Sequence, residues 1–565
     1  MKTMKVSFTE WTKSGSPWVW LNAGAVAICI IMVVGLLALI AVRGLGHFWP
    51  ADILQATYSV NDQKTRVIGE VVDSENVPAE QLRDVGVNVP EGMEFMRRNL
   101  MKVGNRDVGG TDFTWVLANN LSEQAYPEML FAAERREWGN FYGYLRALRE
   151  GDTIVKQYDG YEKTPEHLAL WEAFEASIDR ALSIHEEIYK IEKHEIGAIN
   201  HEIERLRLQE RSLTLKEVND PAPYSKIEAQ RNQLNAEYEG LQSQLLALYN
   251  EINRDSIEAE VSGGQTITIS VAKIVRAFRP NDMSIGDKLG HYASKIWEFV
   301  SDEPREANTE GGIFPAIFGT VMMVIIMSVM VTPFGVIAAV YLREYAKQGF
   351  TTRLIRIAVN NLAGVPSIVY GVFGLGFFVY FLGGNIDRLF YPEALPSPTF
   401  GTGGLMWASI TLALLTVPVV IVATEEGLTR IPRAIREGSL ALGATKAETL
   451  WKVVLPMASP AMMTGVILAI ARAAGEVAPL MLVGVVKLAP SLPLDGNYPF
   501  LHLDQKFMHL GFHIYDVGFQ SPNVEAARPL VYATALLLVA VIALLNISAV
   551  QIRNHLREKY KSLEM

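Results

Sequence analysis

Glu437-Gly-Ser-Leu-Ala-Leu-Gly443-Ala-Thr-Lys-Ala-Glu-Thr-Leu-Trp-Lys-Val453-Val-Leu455-Pro456 lies between two long apolar runs, 404–424 and 457–486. Within it, Leu440, Ala441, Ala444, Ala447 and Leu450 can give a short helix one apolar face. Gly443 leaves room for close packing or a turn. Pro456 is expected to end that element and start the next run, a position where its missing N–H costs nothing. Arg430, Arg433, Arg436, Lys446 and Lys452 make the stretch and its approach basic. A basic amphipathic link between two runs of membrane-crossing length is a loop of a multi-pass membrane protein.

Working outward, further apolar runs occupy 18–42, 313–341, 355–382 and 529–550. The first is too long for the apolar core of a signal peptide, and Arg43-Gly-Leu-Gly-His-Phe-Trp-Pro follows it instead of a small-residue cleavage site. It reads as an uncleaved anchor. Six spans put both termini on one side. That side collects Lys2, Lys5 and Lys13 against Glu10, then Arg343, Lys347, Arg353 and Arg356, then the basic loop above, then Arg553, Arg557, Lys559 and Lys561. The positive bias makes it the cytoplasmic side. The tails are then 1–17 and 551–565, the basic loop 425–456, and the five-helix core 313–550. The loops around 383–403 and 487–528, poor in Lys and Arg, fall on the other side together with 51–312.

Residues 51–312 carry about −17 of a total of −10, so the acidic surplus sits in the water-soluble part. That balance argues against a nucleic-acid binder, which needs a basic surplus. A single cysteine, Cys29, excludes a disulfide framework and a Cys-based zinc site. Residues 164–256 look helical. Ile227, Leu234, Tyr238, Leu241, Leu245, Leu248 and Ile252 keep an alternating three–four spacing broken at Arg231; Ile196, Ile199, Ile203, Leu206 and Leu213 do the same with a gap at Glu210. Asn219-Asp-Pro-Ala-Pro223 separates the runs. The expectation is an antiparallel coiled-coil hairpin with arms of about 30–40 residues, projecting roughly 45–60 Å. Alternation at 265–271 and strand-like stretches at 57–60 and 66–72 predict an α/β base into which the hairpin is inserted. Three His-Glu pairs, at His185, His194 and His201, lack a second His four residues on and are expected on a solvated helix face, with no metal bound.

The spacing of Glu437, Gly443, Val453, Leu455 and Pro456 resembles the EAA loop of ABC importer permeases, with Gly438 and Ser439 in place of its two alanines. Asn360-Asn-Leu-Ala-Gly-Val-Pro-Ser-Ile-Val-Tyr-Gly371 resembles the third-span motif of phosphate-transport permeases. Ala471-Arg-Ala-Ala-Gly-Glu-Val-Ala-Pro-Leu480 resembles a segment of the A-type permease subunit of the phosphate-specific (Pst) system, with Val477 where that family has Thr. The resemblance covers the first span and 313–555, and it is to an enlarged form with a big periplasmic domain. It implies a type I ABC importer permease in a bacterial inner membrane, not itself an enzyme. Glu437, Gly443, Ala444, Leu455 and Pro456 would couple to the ATPase. The implied partners are a C-type permease subunit, two ATP-binding subunits and a periplasmic phosphate-binding protein. This chain would hold no cofactor, ATP and magnesium being on the partner subunits. Gly438-Ser-Leu-Ala-Leu-Gly443-Ala-Thr445 has the glycine spacing of a phosphate-cradling loop, but Ala444 occupies the lysine position.

Arg472 and Glu476 are the only charges between Lys452 and Lys487. They stand four apart, on one helical face. Arg472 lies about 24 Å of helical rise beyond Pro456, deep in the bilayer or in its outer half. An ionisable residue there normally faces a cavity or a partner, and guanidinium offers a donor fork suited to phosphate oxygens. A structural ion pair is the competing reading. Pro366 and Ser367 can open backbone groups toward the same path, or simply kink the third span. Sulfate and molybdate permeases share the EAA loop, so another oxyanion is an alternative substrate. An envelope sensor or scaffold acting through the coiled coil is an alternative of a different class.

Overall fold

The computed structural model describes residues 12, 14–60, 63–84, 92–521 and 524–560. Lys2, Lys5, Glu10 and Lys13 of the basic N-terminal tail, and Lys561, lie outside the described residues. Among the described residues, six helices are long and apolar enough to cross a membrane: Pro17–Gly46, Phe314–Tyr345, Ser367–Phe390, Leu405–Arg430, Lys446–Ala473 and Ala527–Lys559. The fourth is the axle of the bundle. Leu405, Ala408, Leu412, Leu415 and Val420 are all buried on it. The second and fifth spans close on Val420 from two sides through glycines. A Cβ on Gly335 would lie 2.6 Å from Val420 Cγ1, and one on Gly465 would lie 3.2 Å from Val420 Cα. Small residues permit such close packing where no hydrophobic force draws helices together. The first span stands apart with its apolar surface exposed, touching the sixth where Gly44 meets the backbone of Ala533.

Two spans differ from expectation in where they begin and end. The third starts at Ser367, and the preceding stretch is a separate amphipathic helix, Phe350–Leu362. Pro366 disfavours helical backbone at Val365 and has no N–H to continue the ladder, so the chain breaks over 363–366. The fifth runs from Lys446, ten residues before Pro456, and stops at Ala473. The α-helix proper begins at Leu455 with Pro456 in its first turn, as expected, and the span is extended back to Lys446 because Leu450–Val454 is wound in π register, the Leu455 N–H donating to Leu450 O.

Between the first and second spans, among the described residues, lie two large antiparallel sheets and a two-stranded hairpin, Pro304–Arg305 with Glu310–Gly311. The first is ordered β4-β3-β2-β1-β5, from β1 (Ile53–Val60), β2 (Gln63–Pro78), β3 (Phe95–Lys102), β4 (Phe113–Leu117) and β5 (Leu121–Ala125). The second is ordered β10-β9-β7-β6-β11, from β6 (Leu130–Arg135), β7 (Phe141–Glu150), β9 (Asp255–Glu260), β10 (Thr266–Ser270) and β11 (Ile274–Phe278), with β8 (Thr153–Gln157) on β7. The predicted strand stretches fall in β1, β2 and β10. Ile53, Ile68, Leu130, Tyr142 and Tyr144 pack where the sheets meet. On the far side of the second sheet, Leu170, Trp171, Phe174 and Ile178 cover Phe131, Phe141, Leu145 and Ile257.

Those covering residues belong to the first of two helical arms. Helix Pro165–Tyr189, one π segment (Lys190–Glu195) and helix Ile196–Leu215 follow one another without a break. The returning arm is Pro221–Ile252. The first arm exceeds the expected 30–40 residues because its first half is a sheet-covering helix. Pro221 starts the returning arm at its first turn, where proline is tolerated, and Asp220 caps it by accepting from Ala222 N. Tyr249 donates to Glu192 and Arg180 donates to Glu251 across the pair, fixing an antiparallel arrangement. Glu210 and Arg231, the two polar gaps in the apolar spacing, bond to each other.

The arms do not simply project from the base. Lys193 Nζ donates to Pro490 O at 3.3 Å, and His201 Nε2 lies 2.9 Å from Tyr498 O with its ring against His502. The first arm thus rests on the loop after the fifth span. Of the three His-Glu pairs, His194 is exposed as expected, its ring edge-on against Tyr189, whereas His185 and His201 are half-buried, bonding to Arg136 and Tyr498.

Candidate functional site

Arg472 is the penultimate residue of the helix Leu455–Ala473. Beyond it the chain opens over 474–477. Gly475 N bonds to Arg472 O and Glu476 N to Ala473 O, and a short helix, Ala478–Val483, then resumes. Arg472 Nε stands 3.6 Å from Glu476 Oε1, close enough to attract and too far for a hydrogen bond. The side chains are 31% and 21% exposed, so neither is sealed into the protein. Among the described residues the Arg472 guanidinium makes no hydrogen bond, leaving its donors available.

The break in the third span is a counterpart. Val365 N donates to Leu362 O, and the Tyr370 hydroxyl donates to that same carbonyl at 2.7 Å, tying the new helix back across the gap. Pro366 is exposed and Ser367 half-buried at the first turn beyond it. Four residues on, Gly371 abuts the short helix after Glu476: a Cβ there would lie 2.6 Å from Pro479 Cα. The 360–371 and 471–480 stretches, roughly a hundred residues apart in sequence, are therefore packed together, and each contains the end of a span joined to a further short helix. Among the described residues no hydrogen bond joins Ser367 to Arg472.

At the other end of the bundle the basic loop forms an elbow. Helix Arg433–Ala441 ends at a turn in which Gly443 has φ +89° with open space around its Cα. Of the two roles open to Gly443, the structure uses the turn, since a left-handed backbone suits glycine best, with asparagine next. Ala444 N donates to Ser439 O. Thr445 then caps the next helix in a reciprocal box with Glu448, and Ser439 Oγ meets Thr449 Oγ1 at 2.9 Å. The expected single apolar face is divided. Leu450 packs inward with Leu428, Ile431, Val454 and Ala458, whereas Leu440 is exposed. Glu437 is also exposed, and Leu455 and Pro456 are half-buried in the helix beyond. Leu442 and Trp451, which sequence reasoning passed over, are 91% and 73% exposed. They form the apolar edge of the elbow. The signal was there: two large apolar residues flank a turn whose other side is spoken for by Leu450 and Val454.

The elbow is fastened by charges that the orientation argument had only counted. Arg436 donates to Glu344 at 3.0 Å and to the carbonyls of Leu428 and Ile431, and Lys446 donates to Glu344 O. Arg356 pairs with Glu425 at 2.5 Å. Beside them a cavity of about 450 Å³ is lined by Arg356, Asn360, Glu425 and Arg430.

The family model described as binding-protein-dependent transport system inner membrane component matches residues 331–561, beginning beyond the two sheets. The phosphate transport system permease protein PstA 1 of Mycobacterium tuberculosis (strain CDC 1551 / Oshkosh) is 35% identical over 247 residues, covering 43% of this chain and 71% of that protein. The PstA protein of Yersinia pestis is 31% identical over 252 residues, 44% of this chain and 75% of its own. The probable ABC transporter permease protein YqgH of Bacillus subtilis (strain 168) is 31% identical over 194 residues, and the match spans 59% of its length. Inward-facing MetNI methionine ABC transporter aligns over 46% of this chain and 98% of its own at 18% identity, with a TM-score of 0.32, a weak overall likeness. On the strength of the two PstA matches, this chain belongs to the PstA family of phosphate transport system permease proteins.

Proposed function

We propose that this chain is one permease subunit of an ATP-driven phosphate importer. It supplies part of the pore wall and a mechanical link to ATPase subunits, and performs no bond chemistry itself. The observation that carries this reading is the packing of Gly371, near the start of the third span, on Pro479, just beyond the end of the fifth, with the unbonded donors of Arg472 at that same end. Broken spans place free backbone groups and half-helix ends at membrane depth only where they line a path or a protein interior. Guanidinium matches a tetrahedral oxyanion through paired N–H donors. Glu476, drawn to Arg472 without bonding to it, keeps the cation oriented and limits how firmly an anion is held.

In this reading the exposed edge of the elbow, Leu440, Leu442 and Trp451 with Glu437 beside them, enters a groove on an ATP-hydrolysing subunit in the manner of helix-in-groove recognition. ATP and magnesium are held there and not in this chain. A C-type permease subunit completes the pore and a periplasmic binding protein delivers phosphate. The positive bias of the elbow makes its side cytoplasmic, which puts the two-sheet domain in the periplasm and both termini inside. The two arms act as an antiparallel coiled coil: Ile199, Leu206, Ile227 and Leu245 are buried along them, and the Glu210–Arg231 bond would fix their register. The seating of the first arm on the loop at 490–502 favours a domain that works with the pore over a free-standing scaffold.

Uptake of radiolabelled phosphate by a strain lacking the native permease, with sulfate and molybdate as controls, tests this function. Phosphate-selective uptake restored by the chain and its partner subunits is expected. Uptake of sulfate or molybdate in its place would reassign the substrate.

A further inference from the structure

The helix Ile285–Ser301 is the last long element before the second span. Its polar side is engaged by protein. Lys288 bonds to Asp52, Lys295 to Glu134, and Glu298 accepts from Lys295 and Arg305. Its Phe299 and Tyr292 rings pack on Phe48 and Trp49, just past the end of the first span, at 5.0 and 5.9 Å. Phe299 O also accepts from Ile313 N at the start of the second span. The remaining arc carries Ile285, Leu289, Ala293 and Trp297. Residues four apart advance by about 40° around a helix, so these four fan across about 120°. The three large ones are 75%, 54% and 72% exposed. A surface helix in water shows the reverse order, polar side out and apolar side in.

We propose that this helix lies in the membrane–water interface, with Ile285, Leu289 and Trp297 seated at the headgroup–acyl boundary of the leaflet nearest the two-sheet domain. Lipid is the occupant for three reasons. The helix is pinned to the ends of two spans, within about one helix diameter of where they leave the bilayer. The exposed apolar surface of the first span reaches toward it through Val42, Leu45 and Trp49, with Arg43 and His47 interspersed where the span meets the headgroups. The open arc carries no charged residue, and tryptophans at its two ends, Trp49 and Trp297, suit the interfacial belt. An amphipathic helix with its apolar face in the boundary region is bound in proportion to the apolar area it buries. Fastened through its other side to Asp52 and Glu134, it would hold the domain at a fixed height above the spans, as the contact of the first arm with the loop at 490–502 requires.

The test uses the full-length chain in liposomes of phosphatidylethanolamine and phosphatidylglycerol. The one native cysteine, Cys29, is changed to Ser, and Leu289→Cys, Trp297→Cys and, as a control on the arm turn, Lys216→Cys are spin-labelled in turn. Collisions with oxygen should exceed those with a water-soluble nickel chelate at 289 and 297, and the order should reverse at 216. Chelate accessibility at 289 and 297 equal to that at 216 would overturn the proposal. Exclusion of both reagents there would overturn it as well, since that pattern means protein cover. Should a cysteine variant misfold, quenching by brominated lipid provides a second measurement. The fluorescence difference between the native chain and Trp297→Phe should fall by about half or more in brominated bilayers, as expected of an interfacial indole, and an unquenched difference would sink the idea.

Discussion

In the two-sheet domain, Glu260 accepts hydrogen bonds from Arg146 at 2.8 Å, from Tyr161 at 3.0 Å and from Arg66. At the end of the fifth span, Arg472 and Glu476 stand 3.6 Å apart with no bond between them. The chemical types are the same and the surroundings opposite in effect. Glu260 and Arg146 are about 10% and 9% exposed, and their lone pairs and donors are spent on one another. Arg472 is less buried, and its donors are left open. A pair that locks structure is bonded as fully as geometry allows, because unpaired buried charge costs several kcal/mol. A pair that leaves its donors idle is open to another partner, which is the role proposed for Arg472.

The sharpest way to break this comparison is to neutralise each pair. Arg472→Gln should cut phosphate uptake by roughly 100-fold, the equivalent of about 3 kcal/mol of charge-assisted hydrogen bonding, while the protein still assembles with its partners and keeps its melting temperature. Near-native uptake in that variant would return Arg472 to a structural role. Glu260→Gln should do the opposite. Removing the carboxylate strands two guanidinium groups, at a cost of about 3–5 kcal/mol, so thermal unfolding should come earlier while uptake per folded molecule is unchanged. Burial pushes the Glu260 carboxyl up, but the bonds from Arg66, Arg146 and Tyr161 outweigh it and hold it below the ordinary carboxylate range. Its stabilising contribution is accordingly present above about pH 4.5 and is lost as acid protonates it.

The elbow gives an intermediate effect. Gly443 holds φ +89° with no neighbour to block a side chain, so a substitution there tests backbone strain alone. Gly443→Val should cost about 1–3 kcal/mol locally and lower ATP-driven uptake several-fold by misdirecting Leu442 and Trp451. Gly443→Asn, which tolerates the left-handed region, should recover most of it. Equal uptake in all three would remove the turn from the coupling mechanism.

The six spans and the two arms were legible because each rests on a period or a run repeated over 20 or more residues. What escaped was set by single residues or by distant contacts. Pro366 was noticed and still counted inside an apolar run, although its effect on Val365 shortens the third span by a dozen residues. Pro456 does mark the start of an α-helix, but the π turn before it, which extends the span back to Lys446, has no sequence signature of its own. Glu210 and Arg231 were each visible as a flaw in an apolar seam, and their pairing followed once the arms were known to be antiparallel. The seating of His201 on Tyr498 joins residues almost 300 apart, and no local pattern could announce it. Of the candidate site, the residue types were readable from charge alone, whereas the packing of Gly371 on Pro479 needed three-dimensional proximity.

The smallest effect concerns a carboxylate that belongs to neither kind of pair. Glu310, in the short hairpin ahead of the second span, lines a cavity of about 870 Å³ that also receives Lys102, Glu134, Arg305 and Glu306. Burial raises its carboxyl to about 7; Lys102 pulls it back down and Glu134 and Glu306 push it further up. With a folded value above the ordinary 4.5, the favourable contribution is complete below about pH 4.5 and disappears as pH rises through 7. A histidine lining the same cavity, His291, is pushed down by burial to about 4 and stays neutral across the upper part of that range. The native chain should therefore lose melting temperature between pH 5 and pH 8 in a way that Glu310→Gln does not share. If the two melting curves keep the same separation at every pH, Glu310 ionises freely and the cavity is wetter than its lining implies. If they converge only at acid pH, the hairpin carries a buried carboxylate that is neither bonded like Glu260 nor left open to a substrate like Arg472.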